Sequence, residues 1–303
     1  MSTLARTAFA GLPPALLTEL AECGLDPQRV YDDVALAVAE DVPGEDVTSE
    51  ATIPAEATAW ADLTARADGV LSGLPVAELV FRYVVGKPVE VSRKVADGSS
   101  VTRGDVLMSV HGPVRLLLTA ERTALNYLCH LSGVATTTST WVRALAGTNA
   151  SVRDTRKTLP HFRALEKYAV RCGGGVNHRA TLSDQALVKD NHVLAAGGVV
   201  PAYQAVRSRY PSVPVQVEVT SVDQLRALLA VGAEQILLDN MSTAEMTEAV
   251  SVNAGRAKLE ASGSLSIDRA REVARTGVDY LAVGALTHSA RVLDIAMDLR
   301  EGP

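Results

Sequence analysis

Apolar and polar positions follow different patterns in the two halves of the chain. Residues 14–40 place apolar side chains at helical spacings, and this stretch ends at the acidic turn EDVPGEDVTS. From Thr58 to about Val110 the pattern changes to short alternating or apolar segments, which predict strands with one helix at PVAELVFRYV. The strand segments are ATAWADLTAR, GVLSG, PVEVSRKV and DVLMSVHG. The first half therefore predicts a domain of mixed helices and strands.

Two further features of this half concern its architecture. VADGSSVTRGDVLMSVHG, residues 95–112, has the glycine spacing of the hairpins in barrel-sandwich folds such as biotinyl and lipoyl carrier domains. It lacks the carrier lysine at a hairpin tip, so we interpret it as architecture only. A long helical region follows at residues 116–147, and we expect it to be interrupted near Ser132 and Gly133.

The second half alternates strands and helices. Apolar runs end in polar residues, and amphipathic stretches such as VDQLRALLAVG and IDRAREVARTG lie between most of them. The apolar runs are SVRDTR, ALVKDNH, PVQVEVT, QILLDNM, KLEASG and YLAVGA. This alternation predicts a parallel sheet covered by helices. Six units in about 135 residues favour a closed or nearly closed α/β barrel, and no Gly-x-Gly-x-x-Gly follows a strand to indicate a Rossmann half.

Charged and polar residues collect at the carboxyl ends of these strands, where α/β barrels place their catalytic residues. The residues at these ends are Arg156, Lys157, Lys189, Glu218, Asp239, Ser262, Gly263 and Gly284. Polar caps at helix N-termini would explain Ser262 and could explain Asp239, but they do not explain Lys189 or Glu218. We therefore predict one rim that contains both cations and carboxylates.

Basic residues concentrate between Arg153 and His192. This segment has eight Lys or Arg against four acids, whereas the whole chain, with 29 basic and 35 acidic residues, has a net charge of −6. A local reversal in an acidic protein indicates an anion site rather than a nucleic-acid surface, which would make the whole domain basic. Arg163, Lys167 and Arg171 are spaced four apart, so for these three we favour a solvated helix face.

Length and composition restrict the remaining possibilities. With 303 residues and 47% hydrophobic content, the chain can form one large domain and a smaller one. No apolar run approaches the roughly 20 residues of a membrane span, and Pro13, Pro14 and Glu19 break any signal-peptide core, so we expect a cytoplasmic protein. Three cysteines without Cys-x-x-Cys spacing indicate neither a disulfide framework nor a zinc site.

The predicted rim suits anionic ligands. Converging arginine and lysine side chains bind carboxylate or phosphate oxygens, since guanidinium groups contact carboxylates in a bidentate manner. Glu218 and Asp239 suit Mg²⁺ held through waters and ligand phosphates. The glycines of ASGS and AVGAL would let backbone N–H groups approach a phosphate. These features predict a phosphorylated substrate with Mg²⁺ beside a second, anionic organic substrate.

The motifs and their order closely resemble those of the quinolinate phosphoribosyltransferase family, the carboxylating type of nicotinate-nucleotide pyrophosphorylase. The resemblance extends from about Glu40 to His288 and rests on RDTRKT, GGGVNHR, KDNH, EVT, LLDNM, EASG and VGALTHS, with EDVPGEDVTS and ERTALN upstream. It implies transfer of phosphoribose from phosphoribosyl pyrophosphate (PRPP) to quinolinate with Mg²⁺. The products would be nicotinate mononucleotide, pyrophosphate and CO₂, in de novo NAD biosynthesis.

The resemblance also implies the fold class and the assembly. We expect an α+β N-terminal domain of barrel-sandwich-like character at residues 1–130 and an incomplete α/β barrel at residues 131–288. Residues 289–303 are expected to form a C-terminal helix that returns to the first domain. In the family each barrel pairs with the N-terminal domain of the partner, so we expect a homodimer with shared active sites, which could assemble further. Nucleic acid and membrane are not expected as partners.

Site roles carry over residue by residue from the same motifs. The residues that resemble quinolinate ligands are Arg156, His178, Arg179 and Lys189, with Arg122 of ERTALN from the second subunit. The residues that resemble PRPP, pyrophosphate and Mg²⁺ positions are Lys157, Glu218, Asp239, Ser262, Gly263, Gly284 and His288, and the expected catalytic residues are Lys157, Glu218 and Asp239. The chain departs from the family at Ser264, where glycine is more common, and in a leading segment to about Gly24 that has no assigned role.

Three other interpretations stay open on the residues alone. A molybdenum-operon paralogue would share the fold and act on another aromatic substrate, although Arg156, Arg179 and Lys189 favour quinolinate. A phosphosugar isomerase or aldolase barrel would use Lys189 as a Schiff-base nucleophile, but KDNH provides charged neighbours rather than an apolar pocket. A carrier or binding module would use residues 95–112, which lack the modifiable lysine.

Overall fold

The computed structural model describes residues 6–300, and contacts between residues divide the chain into two compact units. The first unit contains the residues up to Thr137, the segment Pro160–Gly174 and the residues from Ala290 onward. The second unit contains Thr138–Leu159 and Gly175–Ser289. The expected boundary between residues 130 and 131 therefore lies before the observed one. The sequence pattern does not predict that Pro160–Gly174 belongs to the first unit.

Strands and helices occupy most of the described residues. The strands are β1 (Thr58–Ala65), β2 (Gly69–Val70), β3 (Glu90–Arg93), β4 (Ser100–Val101), β5 (Val106–Pro113), β6 (Ser151–Arg153), β7 (Ala186–Val188), β8 (Val215–Val219), β9 (Gln235–Asp239), β10 (Lys258–Ser262), β11 (Tyr280–Ala282) and β12 (Ile295–Arg300). The helices are α1 (Pro14–Glu22), α2 (Pro27–Asp41), α3 (Val47–Thr52), α4 (Leu74–Val85), α5 (Val114–Ala144), α6 (Arg163–Cys172), α7 (Asp190–Ala196), α8 (Val199–Arg209), α9 (Val222–Ala230), α10 (Thr243–Asn253), α11 (Ile267–Ala274) and α12 (Ala285–His288). The predicted helices at residues 14–40 and the predicted strands are confirmed.

The first unit is built on an antiparallel sheet with the order β12-β1-β5-β3, and β2 pairs separately with β4. Residues 95–112 do form a turn, in which the backbone N–H of Thr102 donates to Asp105 Oδ2 at 2.7 Å. The two strands of this segment do not pair with each other, because β5 lies between β1 and β3 and both of its edges are already used. The expected hairpin is wrong in its pairing, whereas the α+β class of this unit is confirmed.

The C-terminal segment forms a strand, so the predicted helix is wrong. β12 runs antiparallel to β1, with Arg300 opposite Trp60 and Ile295 opposite Ala65. Arg300 Nε donates to Asp62 Oδ2 at 2.7 Å, and its guanidinium lies 5.2 Å from the centre of the Trp60 ring. β1 has an edge whose backbone groups need a partner, and this tertiary demand overrides the helix-like local sequence.

Helix α6 belongs to the first unit, and its residues from Leu165 to Val170 are all buried. Lys167 is only 5% exposed, so the interpretation of Arg163, Lys167 and Arg171 as a solvated face is wrong for Lys167. The spacing of the basic residues is helical, but the helix is covered on more than one side. All three cysteines of the chain are free thiols.

The second unit contains a parallel sheet in the order β6-β11-β10-β9-β8-β7. Its strands bury apolar side chains such as Val217, Leu238 and Leu259, none more than 1% exposed, which is typical of a parallel sheet covered by helices. β6 and β7 are the end strands, and within residues 6–300 no strand pairing joins them. The expected incomplete α/β barrel is therefore confirmed, with all six carboxyl ends at one edge.

Helix α5 is continuous, so the expected interruption near Ser132 and Gly133 is wrong. Gly133 instead permits a close approach, because a Cβ built there would lie 2.2 Å from the backbone oxygen of Arg291. Ser132 is fully buried and its Oγ donates to the backbone oxygen of Ser72 at 3.1 Å. Both residues serve packing inside the first unit rather than ending the helix.

We expect Gly133→Ala to lower the free energy of unfolding by about 1–3 kcal/mol, although alanine favours helices, because its methyl group must displace the backbone at Arg291. Gly44→Ala is the control, since a Cβ at that glycine meets nothing within 4 Å. Chemical denaturation of both variants measures the difference. Equal stability of the two variants would contradict the close approach.

Candidate active site

A cavity of about 290 Å³ opens at the carboxyl ends of the strands in the second unit. It is lined by Thr155, Arg156, Lys157, His178, Arg179, Leu187, Lys189, Glu218, Leu237, Glu260, Ser262 and Ala282. The predicted residues among these are Arg156, Lys157, His178, Arg179, Lys189, Glu218 and Ser262. The fold thus brings the basic segment after β6 together with the ends of β7, β8 and β10.

Arg156 and Arg179 both line the cavity, near enough for their charges to interact. Burial, and then the charge of Arg156, lower the pKa of Arg179. The Arg179 side chain is held by a hydrogen bond of 3.0 Å from Nη1 to the backbone oxygen of Gln185. Like charges at short range repel each other, and bound carboxylates would offset that repulsion. The pair therefore favours an anionic ligand with more than one carboxylate.

Lys189 follows β7 directly and faces the same cavity. Its Nζ lies 3.8 Å from Glu218 Oε2, and half of its side chain is exposed. Its backbone N–H donates to His192 Nδ1 at 3.0 Å, so the KDNH motif folds the start of α7 against the strand end. A half-exposed amine beside a carboxylate lacks the apolar surroundings of a Schiff-base lysine, which counts against the phosphosugar interpretation.

Glu218 is the penultimate residue of β8, and Asp239 is the last residue of the neighbouring strand β9. Burial, and then the charge of Asp239, raise the pKa of Glu218, and the charge of Lys189 opposes this shift. Close carboxylates of this kind favour a bound cation. No cluster of three or more His, Cys, Asp or Glu side chains among residues 6–300 could hold a metal ion by itself. The pair fits a cation that takes most of its ligands from water and substrate, as Mg²⁺ does.

Gly284 lies where the side chains of Lys157 and His288 meet. A Cβ at Gly284 would lie 3.0 Å from Lys157 Cδ and 3.1 Å from His288 Nε2, so glycine leaves room for both. Thr287 Oγ1 donates to the backbone oxygen of Lys157 at 2.7 Å and ties the loop after β6 to α12. Thr287 is a member of this group that the motifs do not single out, because threonine in a helix is usually only a packing residue.

The loop after β10 contains two residues with positive φ, Gly263 at +100° and Ser264 at +41°. A Cβ at Gly263 would lie 2.1 Å from Asn240 Oδ1 and 2.9 Å from the Asn240 backbone nitrogen, so this position requires glycine. Ser264 adopts the left-handed region that costs a residue with a side chain about 1–2 kcal/mol. A glycine at this position would not have this cost.

Helix caps do not account for the polar strand ends. The N-caps of α10 and α11 are Ser242 and Ser266, so the cap interpretation of Asp239 and Ser262 is wrong. Ser262 lines the cavity itself. The remaining predicted residues of this unit adjoin the lining residues without belonging to them, and they are Asp239, Gly263, Gly284 and His288.

Buried polar residues in and next to the cavity lining are not singled out by the motif comparison. Glu260 is 1% exposed, and its Oε2 accepts hydrogen bonds from Arg153 Nη1 at 2.8 Å and from Gln216 Nε2 at 2.9 Å. Asp154 is fully buried and accepts the backbone N–H of His178 at 2.7 Å. The available signal is a charged or amide side chain inside an otherwise apolar strand, since such groups are buried only with partners.

The ligand roles of all the site residues stay predictions, and the structure adds a detail at two of the predicted quinolinate ligands. His178 lines the cavity, but both ring nitrogens have partners within the protein, namely Gln216 Oε1 at 2.8 Å and the Arg179 backbone nitrogen at 2.7 Å. Arg122 is exposed on α5 in the first unit and is not a lining residue of the cavity. Its predicted role is to reach the quinolinate site of a second subunit, so it stays a prediction.

Known proteins share this sequence and fold. The family model for the C-terminal domain of quinolinate phosphoribosyl transferase matches residues 134–298, and the N-terminal domain model matches residues 46–132. A carboxylating nicotinate-nucleotide pyrophosphorylase of Mycobacterium leprae is 50% identical over 285 residues, 92% of this chain and 100% of that protein. A nicotinate-nucleotide pyrophosphorylase structure from Francisella tularensis gives a TM-score of 0.85 at 33% identity and covers 98% of this chain and 100% of its own. The structure of NadC from Streptococcus pyogenes gives a TM-score of 0.88 at 40% identity, and the match covers 90% of this chain and 97% of that chain.

An unclosed parallel barrel whose rim combines guanidinium groups with paired carboxylates is typical of an enzyme that acts on anionic substrates. Both halves of that architecture match one pair of family models over most of the chain. The chain belongs to the quinolinate phosphoribosyltransferase family. This membership rules out the carrier and phosphosugar interpretations. Among the described helices, none combines the length and hydropathy needed to cross a membrane.

We expect Ser264→Gly to raise the free energy of unfolding by up to about 1 kcal/mol, because it relieves the left-handed strain at this residue. Ser266→Gly is the matched control, since the φ of Ser266 is −113° and glycine brings no relief there. Urea denaturation compares the two variants. A gain of the same size in both would mean that Ser264 is not strained.

Proposed function

We propose that this chain transfers phosphoribose from PRPP to the ring nitrogen of quinolinate and releases pyrophosphate and CO₂, giving nicotinate mononucleotide for NAD biosynthesis. The observation that carries this proposal is the adjacent pair of guanidinium groups, Arg156 and Arg179, with Lys189 on the same cavity. Quinolinate has two neighbouring carboxylates, which such a group of cations binds in a bidentate manner. The similar proteins from Mycobacterium leprae and Francisella tularensis are both named nicotinate-nucleotide pyrophosphorylase, which supports the same reaction.

The residues of the cavity suit a reaction that needs positioning more than acid or base catalysis. The pyridine nitrogen attacks without losing a proton, so no general base is required. The barrier lies in the cationic ribosyl transition state and in the departing pyrophosphate. Lys157, beside Gly284 and His288, would stabilise the charge on the leaving group. Arg156, Arg179 and Lys189 would hold the ring in line with the sugar.

Decarboxylation follows from the same arrangement. Once the ring nitrogen has become a pyridinium, it stabilises the electrons left at the adjacent carbon when CO₂ departs. A carboxylate held by guanidinium groups stays in place until the ring is charged. The protein therefore needs no further group for this step.

Mg²⁺ is part of the proposal as the partner of the pyrophosphate. Glu218 and Asp239 would hold the ion, mainly through water, and the raised pKa of Glu218 means that its ionised form gains from a nearby cation. Bound Mg²⁺ supplies charge stabilisation to the pyrophosphate. Since protonation of Glu218 removes the favourable charge, affinity for the ion should fall as the pH is lowered through the raised pKa.

The assembly is a second part of the proposal. A homodimer with shared sites would let Arg122 of one chain approach the quinolinate site of the other, as the family resemblance implies. Its exposed position on α5 leaves the guanidinium accessible to a partner. Closed symmetric dimers are the commonest assemblies of soluble proteins, and association beyond the dimer is an open alternative.

The first test compares quinolinate with nicotinate in the presence of PRPP and Mg²⁺. We expect nicotinate mononucleotide from quinolinate and rejection of nicotinate by roughly 10³-fold or more, because nicotinate lacks the second carboxylate and would leave cations of the cavity unpaired. Arg179→Ala should lower kcat/KM for quinolinate by about 10²- to 10³-fold. Arg226→Ala, which removes a surface ion pair with Glu248, is the control and should change little. Full activity of Arg179→Ala would overturn the substrate assignment.

Mixed subunits test the shared site. Arg122→Ala and Lys157→Ala chains should each be nearly inactive, and after denaturation and joint refolding we expect about a quarter of the wild-type activity, because half of the dimers are mixed and each has one intact site. Product formation by the two single variants and by the mixture is measured. No regained activity in a mixture that contains dimers would place the whole site in one chain.

A further inference from the structure

A layer of buried polar side chains lies at the floor of the cavity, inside the second unit, and one of its members, Glu260, is a lining residue. Glu260 on β10 is 1% exposed, and Gln216 on β8 is also 1% exposed. Glu260 Oε2 accepts hydrogen bonds from Arg153 Nη1 at 2.8 Å and from Gln216 Nε2 at 2.9 Å. Because the carboxylate can only accept, the amide of Gln216 must present its NH₂ group to Glu260 and its oxygen to the other side.

The oxygen of that amide meets His178. His178 Nε2 lies 2.8 Å from Gln216 Oε1, and His178 Nδ1 lies 2.7 Å from the backbone nitrogen of Arg179. A backbone N–H is a donor only, so Nδ1 accepts and has no proton, and Nε2 donates to Gln216. The distance from Nε2 to Glu260 Oε1 is 3.7 Å, too long for a direct hydrogen bond. The two contacts fix one neutral tautomer of His178.

This arrangement holds Arg179 at two points. The His178 ring accepts the Arg179 backbone N–H, and Gln185 accepts from the guanidinium at 3.0 Å. The His178 backbone is itself fixed, since its N–H donates to buried Asp154 at 2.7 Å. Gln185 is held in turn by a hydrogen bond of 2.8 Å from Nε2 to Gln235 Oε1. The direction of the Arg179 guanidinium therefore depends on the buried layer below it.

We propose that His178 acts as a positioning residue, oriented by Gln216 and Glu260, which aims Arg179 at a substrate carboxylate and does not bind the substrate through a ring nitrogen. This inference rests on the proposed function, since it names how one carboxylate of the dicarboxylate substrate is recognised. A misplacement of about 1 Å in a positioned group can cost 10²-fold in rate, so residues that never touch substrate can have a large effect.

Two replacements of His178 separate the positioning role from direct binding. The Asn oxygen is the same number of bonds from the backbone as Nδ1, so His178→Asn keeps the acceptor for the Arg179 N–H. The Gln amide reaches the place of Nε2, so His178→Gln keeps a donor there and loses that acceptor. We expect the Kd for quinolinate, titrated without PRPP, to rise less than about threefold in His178→Asn and more than about tenfold in His178→Gln, with the KM for PRPP nearly unchanged in both.

The opposite order, with His178→Gln the better binder, would show that Nε2 contacts the substrate and would overturn the inference. Equal losses in both variants, with intact folding by circular dichroism, would also overturn it. Wild-type protein that binds no quinolinate would overturn the proposed function instead. The three outcomes are distinguishable in one set of titrations.

Gln216→Leu tests the layer below. It should weaken quinolinate binding about tenfold in the wild-type background and change little when added to His178→Asn, which no longer has the ring that Gln216 orients. Asn253→Leu is the matched control, because it also removes a buried amide with two hydrogen bonds, to Ala257, and lies outside the cavity lining.

Nitrogen chemical shifts of His178 should show an unprotonated Nδ1 in the wild type. A protonated Nδ1, or additive effects of the two changes, would overturn the inference.

Discussion

The buried ion pair between Arg153 and Glu260 is the interaction on which the site depends. A charge inside a barrel is tolerated only when its hydrogen bonds are satisfied, because desolvation of each ion is expensive. Arg153 meets this condition by bonding to Glu260, by donating to the backbone oxygen of Asn177 at 3.2 Å, and by lying 4.6 Å from the ring centre of Tyr280. The pair thereby joins β6, β10 and β11 to the segment that precedes His178.

The need to pair buried charges also explains why RDTRKT and the NHR segment, which are distant in the sequence, lie next to each other. Asp154 of RDTRKT accepts from Asn177 Nδ2 and from the His178 backbone, each at 2.7 Å, so the NHR segment is fastened to the end of β6. Arg156 and Arg179, one from each motif, then line the same cavity. Burial, and then the charge of Arg156, lower the pKa of Arg179, so the two motifs interact at this point.

The fold class and most of the rim could be predicted from the sequence, because strand ends in a parallel barrel meet at one edge whatever the details of the loops. Lys189 and Glu218 are examples, since each follows an apolar run directly. Local pattern could not predict β12, whose sequence is helix-like and whose conformation depends on the free edge of β1. It could not predict the packing role of Gly133, because its contact at Arg291 is distant in sequence. Nor could it predict that both nitrogens of His178 have protein partners, because one of these partners, Gln216, is distant in sequence on β8.

The antiparallel pairing of β12 with β1 has a consequence for how the chain is made. The first unit begins near the N-terminus, yet one strand of its sheet is synthesised only after the whole second unit. During translation β1 therefore waits with an unpaired edge while some two hundred residues are added. Such an edge is a site for wrong pairing with other chains until β12 is available to pair with it.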